Sequence, residues 1–428
     1  MTDVTAAARA RVPATPAPAP TPVRRRGRRW LRVALWLALV VAALVALAGG
    51  TLWLLAREAL GGAVAGERLA RVARSPQWRD GAFRNRLPRV DGAGGRAMRE
   101  YLFGGSAFRT PDAPIPVVRR SGADYRTPPA SGLRVTWLGH STLLLEIDGR
   151  RVLIDPVWGE RASPLTFLGP KRFYGPPLAL DQLPAVDAVV ISHDHYDHLD
   201  LPTVKALLAR DVRWVVPLGV GAHLAAWGVP AARVTELDWW DSTAVAGLTL
   251  TATPARHFSG RSLDDAGRTL WAGWAVIGPT HRVFYSGDTA LHDEFVEIGR
   301  RLGPFDLTMI EAGAYSALWA DVHLGPEQAV LAHRLVRGDV MLPVHWGLFD
   351  LALHGWTEPI ERVLAAADSQ GVRAASPRPG DMVEPATLGR PTRWWPSVPW
   401  ERAADAPVWS SGTAHLRQPT PTPADSTR

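Results

Sequence analysis

The sequence predicts one layered α/β domain that follows a single membrane-spanning helix. Within residues 131–385, short apolar runs of strand type alternate with helical stretches. The composition, 46% hydrophobic and 21% charged, is that of a globular protein with a sizeable core. An uncharged apolar run over residues 33–56 is long enough to cross a bilayer as one helix. We therefore expect a folded body tethered to a membrane near its N-terminal end.

The segment before the predicted helix, residues 1–32, is expected to be a disordered basic tail. It is rich in Ala, Pro and Thr, and six arginines lie between positions 24 and 32. Arginines flanking a span favour the cytoplasmic side, so the helix would be a signal anchor and the folded body would be extracytoplasmic. The alternative is a signal peptide cleaved after Ala48, but the apolar residues 52–55 favour the uncleaved anchor.

Charge and cysteine content exclude several classes of function. The chain has a net charge of +7, but its first 57 residues hold nine arginines and one aspartate, which leaves −1 for the remainder. A body of that charge is not expected to bind nucleic acid. The chain has 0 cysteines, which excludes disulfides, thiolate metal sites and a cysteine nucleophile. Any metal must be held by imidazole and carboxylate groups.

Periodicity predicts ten strands and four helices within the domain. The strand predictions are residues 134–138, 143–147, 152–154, 188–191, 213–216, 248–253, 271–277, 282–285, 307–310 and 340–344. The helix predictions, each near a proline or an acidic residue, are residues 202–209, 293–302, 326–337 and 359–367. Residues 57–130 are expected to be a linker and an arm laid on the domain. Residues 386–428 are expected to be a Pro-rich, mostly irregular tail.

The strongest functional signal is the run SHDHYDH, which begins at residue 192 and directly follows a predicted strand. Where the chain turns sharply after a strand, His193 and His195 can face one cation while Asp197 and His198 reach a second. The alternative is a polar loop that enters a helix and caps it through an aspartate. Clustered neutral imidazoles favour metal binding over that alternative.

Three further candidate ligands each follow a predicted strand. These are His257, Asp288 and His345. Strand ends gather on one edge of a sheet, where sites commonly form in layered α/β folds. Taken singly, such a histidine is an ordinary hydrogen-bonded residue and such an aspartate a turn or cap. Together with the first run, they predict a metal centre.

These motifs resemble the metallo-β-lactamase superfamily of dinuclear metal hydrolases, whose signature is the run H-x-H-x-D-H. Over about residues 79–370 the chain also resembles the N-acyl-phosphatidylethanolamine-hydrolysing phospholipase D family. The segments that carry this resemblance are VTWLGH at 135–140, GPKRF at 169–173, ELDWW at 236–240, GAY at 313–315 and HWG at 345–347. The resemblance implies a four-layer αββα sandwich.

The resemblance also implies two zinc ions, with manganese or iron as alternatives. The implied ligands are His193, His195 and His257 for one ion, Asp197, His198 and His345 for the other, and Asp288 as a bridge between them.

Two further residues match positions of these families. Asp155 matches one that braces the metal loop, although a turn aspartate is the alternative. His323 matches one near the substrate phosphate, where it could donate a hydrogen bond or a proton; a surface-loop histidine is the alternative. The residues expected to take part in catalysis are therefore Asp197, Asp288 and His323.

The chain departs from the phospholipase D pattern in one place. Glu311 and Ala312 stand where the family commonly has Pro-Ile, which predicts an altered pocket wall beside His323. The other histidines match no ligand position and are interpreted as structural or surface residues: His140, His223, His281, His292, His333, His354 and His415.

The leading hypothesis is a membrane-anchored dinuclear zinc phosphodiesterase that releases phosphatidic acid and an N-acylethanolamine from N-acyl-phosphatidylethanolamine or a related lipid. An anchor favours a substrate that stays in the bilayer. One alternative is a hydrolase of a soluble ester, lactone or phosphodiester, since the same centre polarises any of these. Another is an envelope scaffold with a structural metal site. The expected partners are a lipid or small-molecule substrate and a membrane, with no nucleic acid.

Overall fold

The computed structural model describes residues 11, 13–17, 25–90 and 94–417. Much of the predicted N-terminal tail and the last part of the predicted C-terminal tail lie outside the described residues. The chain divides into two compact units, Met1–Leu55 and Ala56–Arg428. The second unit is called the body.

The first helix, α1, spans Arg25–Leu60. Its stretch Arg29–Leu60 is apolar and long enough to cross a membrane, and none of its most apolar window is buried in protein. The structure therefore holds one candidate membrane span among the described residues, longer at both ends than the predicted 33–56. A cleaved signal sequence would form the same kind of helix.

The body contains short helices and two large sheets. Its helices are α2 Gly66–Val72, α3 Gly94–Phe103, α4 Leu201–Leu207, α5 Gly221–Ala226, α6 Glu294–Arg301, α7 Pro326–Leu335 and α8 Glu358–Gln370. Its strands are β1 Trp78–Arg79, β2 Ala82–Phe83, β3 Leu133–Trp137, β4 Leu143–Ile147, β5 Arg150–Ile154, β6 Ala188–Val190, β7 Arg213–Pro217, β8 Val234–Leu237, β9 Ser242–Val245, β10 Leu248–Thr253, β11 Gly273–Ile277, β12 Arg282–Tyr285, β13 Phe305–Glu311, β14 Gly338–Val344, β15 Arg373–Ala374 and β16 Met382–Val383.

Each large sheet has seven strands. The first sheet has the order β16-β3-β4-β5-β6-β7-β8, and the second has the order β15-β14-β13-β12-β11-β10-β9. Neighbours from β16 to β5 are antiparallel and those from β5 to β8 are parallel. Likewise, neighbours from β9 to β12 are antiparallel and those from β12 to β15 are parallel. Consequently β10, β12 and β14 run in one direction and end at the same edge.

The two sheets share one buried core, and helices cover their outer faces. Val135 and Val190 of the first sheet lie in the same apolar cluster as Leu250 of the second, and all three are fully buried. On the other face of the first sheet, Val204 of α4 and Leu224 of α5 belong to a separate cluster. Helix α7 contacts β13 and β14 of the second sheet. The predicted four-layer αββα architecture is confirmed. Burial of each such side chain contributes about 1.5–3 kcal/mol.

All ten predicted strands and all four predicted helices are present, with ends that differ by at most three residues. The strands that the sequence did not predict in the two large sheets are β8, β9, β15 and β16. Each lies at an edge of its sheet. Edge strands are short and partly exposed, so they lack the apolar run that marks an interior strand. For example, β8 reads VTEL and three of its four residues are only partly buried.

Within the body, the segments that flank the predicted domain 131–385 are attached to it by specific contacts. In the region predicted as linker and arm, Asn85 Nδ2 donates to the carbonyl of His257 at 2.8 Å. Further along, Val118 N donates to the Pro379 carbonyl at 2.9 Å. In the C-terminal segment, Trp395 is buried, and Ser411 N donates to the Asp321 carboxylate at 2.7 Å.

Candidate metal centre

The SHDHYDH loop leaves β6 and is held by Asp155, which follows β5. One carboxylate oxygen of Asp155 accepts from Ser192 N at 2.7 Å, and the other lies 2.7 Å from His198 Nδ1 and 2.5 Å from the Tyr285 hydroxyl. Asp155 has a left-handed φ of 39°, a conformation that is strained for a residue with a side chain. This buried carboxylate fixes the start of the loop and turns His198 so that its Nε2 is available as a ligand.

One group of potential ligand atoms comes from His193, His195, His257 and Asp288, all within 4.8 Å of one another. His195 Nδ1 lies 2.8 Å from His193 Nε2 and 3.3 Å from His257 Nε2. The other ring nitrogen of His257 lies 2.9 Å from the Val322 carbonyl, which orients its ring. Three imidazoles from two loops thus converge on one point.

A second group comes from His140, Asp197, His198 and His345. His198 Nε2 and His345 Nε2 each lie 3.4 Å from Asp197 Oδ2, and His140 Nε2 lies 2.9 Å from the same oxygen. His345 follows β14 with a left-handed φ of 66°. This group lies beside the first, because the same loop supplies both.

Asp288 lies between the two groups. Its Oδ2 is 2.9 Å from His345 Nε2 and 3.2 Å from His198 Nε2. The same oxygen is 3.8 Å from His193 Nε2 and from His257 Nε2. One carboxylate can therefore reach cations on both sides.

The protonation states suit metal ligation. Burial, together with neighbouring imidazoles, holds the pKa of His193 and of His257 well below the usual histidine value, so these rings are neutral. Burial alone would raise the pKa of Asp197 and of Asp288, but His198 and other imidazoles outweigh it and hold both pKa values well below normal. Neutral imidazole and ionised carboxylate are the forms that bind metals.

The buried donor set also requires positive charge. Although His198 Nε2 and His345 Nε2 lie near Asp288 Oδ2, these two nitrogens and Asp288 Oδ1 are buried and make no well-aligned hydrogen bond among the described residues, which is costly. Burial would lower the pKa of His345, yet Asp288 and Asp197 outweigh it and raise that pKa to about 10. Such carboxylates draw protons onto nearby rings when no other cation compensates them. A metal ion would satisfy both the open ligand atoms and the charge, so the residues fit metal binding.

His323 lies beside this centre and is held by Glu311, the last residue of β13. Glu311 Oε2 is 2.7 Å from His323 Nδ1, while Oε1 accepts from Thr289 N at 2.7 Å and from Leu324 N at 3.1 Å. Glu311 is fully buried, whereas 12% of the His323 side chain is exposed. His323 Nε2 makes no hydrogen bond within the described part of the chain. The glutamate that departs from the phospholipase D pattern therefore lies against His323.

Sequence reasoning missed one residue of the site, His140, and expected Glu311 only as part of the pocket wall beside His323, without its contact to that ring. The signal for His140 was its place in the motif VTWLGH, and its carbonyl accepts from His345 N at 3.0 Å. Several other histidines have partners typical of structural residues: His223 with Asp194, His281 with Asp148, His292 stacked on Phe295, His333 with Thr308 and His415 with Asp293. His354 stacks on Tyr315.

Comparison with known proteins places this centre in a family. Residues 150–346 match the beta-lactamase superfamily domain. A Caenorhabditis elegans protein named N-acyl-phosphatidylethanolamine-hydrolyzing phospholipase D 1 is 40% identical over 272 residues, which cover 60% of this chain and 76% of the relative. The chain belongs to the metallo-β-lactamase superfamily.

Two further proteins are similar to this chain. An uncharacterised protein of Mycobacterium tuberculosis is 49% identical over 380 residues, which cover 86% of this chain and 99% of the relative. A solved metallo hydrolase from the archaeon Ignicoccus hospitalis covers 59% of this chain and 97% of its own, at 22% identity and a TM-score of 0.46. The predicted resemblance is confirmed, and the chain is a metal-dependent hydrolase of a small-molecule or lipid substrate. That result disfavours the scaffold alternative.

Proposed function

We propose that the protein is a membrane-anchored dinuclear zinc phosphodiesterase of phospholipase D type. Its substrate would be N-acyl-phosphatidylethanolamine or a related lipid, and its products phosphatidic acid and an N-acylethanolamine. The observation that carries this proposal is the position of Asp288. Its Oδ2 lies 3.8 Å from His193 Nε2 in one ligand group and 2.9 Å from His345 Nε2 in the other, so one carboxylate could bind a cation on each side. The Caenorhabditis elegans relative and a 33% identical protein of Saccharomyces cerevisiae, both named for this activity, support the substrate.

Seven residues would hold the two zinc ions. His193, His195 and His257 would bind one ion, Asp197, His198 and His345 the other, and Asp288 both. Imidazole and carboxylate ligands suit zinc, with manganese or iron as alternatives. When bound, two such ions would supply Lewis acidity and an acidic water molecule.

The chain's own residues would orient the centre and handle a proton. The reaction adds water across the bond between phosphorus and the N-acylethanolamine oxygen, and that leaving oxygen must gain a proton. His323 would donate a hydrogen bond or that proton from Nε2, because Glu311 holds its Nδ1. Asp155 would fix the ring of His198 through its Nδ1.

The membrane helix would place the enzyme at its substrate. The arginine cluster at the start of α1 favours a cytoplasmic N-terminus and an extracytoplasmic body. Tethering lowers the entropic cost of finding a lipid that stays in the bilayer. Reporter fusions after Arg57 test this topology, and a cytoplasmic body would contradict it.

The test uses the full chain purified in detergent with its metal content counted. We expect two zinc ions per chain and release of phosphatidic acid from N-acyl-phosphatidylethanolamine. His195→Ala should abolish release, whereas His415→Ala, a histidine that pairs with Asp293 on the surface, should not. If two metal ions are bound but the lipid is not hydrolysed, the proposed lipid substrate is wrong. Soluble esters, lactones and phosphodiesters would then be the substrates to assay.

A further inference from the structure

The end of α1 and the two glycines after it lie against α5 and Arg261, and Arg261 in turn contacts the metal loop, residues 192–199. These residues, 58–62, are called the docking segment. The Glu58 carbonyl accepts from Trp227 Nε1 at 2.7 Å, and the Ala59 carbonyl accepts from Arg261 Nε at 3.0 Å and Nη2 at 2.8 Å. On the side of the docking segment, these contacts are made by backbone carbonyls and not by side chains.

The fit of the docking segment requires glycine. A Cβ on Gly61 would overlap the ring of His223, and a Cβ on Gly62 would overlap the Ala222 carbonyl in α5. Gly61 also has a left-handed φ of 82°. The backbone of the docking segment therefore packs directly against α5, with no room for a side chain between them. A flexible linker would not need such close packing.

Arg261 connects the docking segment to the metal loop. Its Nη1 donates to the Leu199 carbonyl, at the far end of the loop, at 2.9 Å. The same nitrogen donates to the Asp194 carbonyl, near the start of the loop. The guanidinium lies over the rings of Tyr196, at 4.0 Å, and Trp227, at 5.0 Å. One buried fork thus holds both the docking segment and the loop, a geometry that lysine cannot reproduce.

A second route joins the same two regions through His223. Its ring covers Gly61, and its Nε2 lies 3.3 Å from the Asp194 carboxylate. That carboxylate also accepts from Gly260 N at 2.8 Å and from the Thr269 hydroxyl at 2.7 Å. Asp194 stands between His193 and His195, so its position decides where both imidazoles lie.

We propose that the docking segment is a working part of the metal centre and that Arg261 is the positioning residue that joins them. Without the docking segment, the buried Arg261 guanidinium would have unpaired donors. Its side chain would then be free to move, and the hydrogen bonds that hold the Asp194 and Leu199 carbonyls of the loop would weaken. This inference rests on the proposed ligands of the loop and is independent of the lipid substrate.

The test compares full-length variants in detergent by two measurements: hydrogen exchange of residues 193–199 in the chelator-treated protein, and zinc affinity. Gly62→Val should unseat the docking segment, and Arg261→Lys should break the fork. Each should speed exchange in the loop and weaken zinc binding about 10–100-fold. The double variant should lose no more than the worse single variant, since both break one connection.

Two controls separate positioning from general stability. Gly389→Val adds the same side chain where nothing lies within 4 Å and should change neither measurement. Ile298→Ala truncates a fully buried side chain in α6, so it should lower global stability without weakening zinc binding.

Faster exchange of residues 58–62 in Gly62→Val, with loop exchange and zinc affinity as in the wild type, would overturn the proposal. If Gly62→Val fails to fold or stays seated, Trp227→Phe decides by the same measurements, because it removes the hydrogen bond to Glu58 and keeps a smaller aromatic ring beneath the Arg261 guanidinium. A wild-type zinc affinity in that variant would also overturn the proposal. Absence of lipid turnover would refute the proposed function while leaving these results intact.

Discussion

The two sheets contribute to the metal centre in different ways. The first sheet supplies four proposed ligands from one loop after β6, and Asp155 and Arg261 hold that loop in place. The second sheet supplies one proposed ligand after each of β10, β12 and β14, which alternate with β11 and β13 in the sheet order. The loop depends on side chains that brace it, whereas strand spacing sets the positions on the second sheet. Substitutions on the two sides should therefore fail differently.

The largest expected effect is on the loop side. His195→Ala removes a proposed ligand, so turnover should fall about 10³-fold or more, and less metal should be bound. Turnover and metal content measured on the same preparation check this, with His415→Ala as the matched control. Full turnover in His195→Ala would show that the loop is not the catalytic centre.

His323→Ala tests the second-sheet side without touching a proposed ligand. We expect kcat to fall about 10²–10⁴-fold, because a leaving oxygen would lose its donor. Metal content should stay at the wild-type value. An unchanged kcat would return His323 to the role of a surface-loop histidine.

Asp155→Asn loosens the brace of the loop. It removes the charge beside His198 Nδ1, so zinc affinity and turnover should each fall about 10–100-fold. Asp148→Asn is a matched control, since Asp148 also holds a histidine Nδ1, that of His281, at 2.6 Å. Equal zinc affinities in the two variants would contradict the bracing role of Asp155.

Glu311→Gln should have the smallest effect and sharpens the comparison most. Glutamine keeps the shape beside His323 but loses the charge, so we expect turnover to fall about tenfold, at the low end for an orienting carboxylate. Zinc content should not change. A loss of zinc would instead place Glu311 with the ligands, since its carboxylate lies within 4.8 Å of atoms of Asp288 and His345.

The sequence was most informative about the part of the site whose residues are close together in the chain. The loop ligands lie within six positions, whereas His257, Asp288 and His345 were candidates by their positions after strands and were assigned to particular ions only through the family resemblance. His140 meets Asp197 across 57 positions, and Arg261 meets Ala59 across 202 positions. No local pattern encodes such contacts, because tertiary packing alone brings them together. The same reason explains the missed edge strands, whose pairing depends on distant neighbours.

Because of the docking segment, the position of a proteolytic cut would decide more than whether the body stays attached to the membrane. A cut after Ala48 would release a body that keeps residues 58–62 and, with them, the hydrogen bonds to Arg261. A cut a dozen residues later would release nearly the same mass without those bonds. A shed enzyme with an intact metal loop and one without it would thus differ by about three turns of helix.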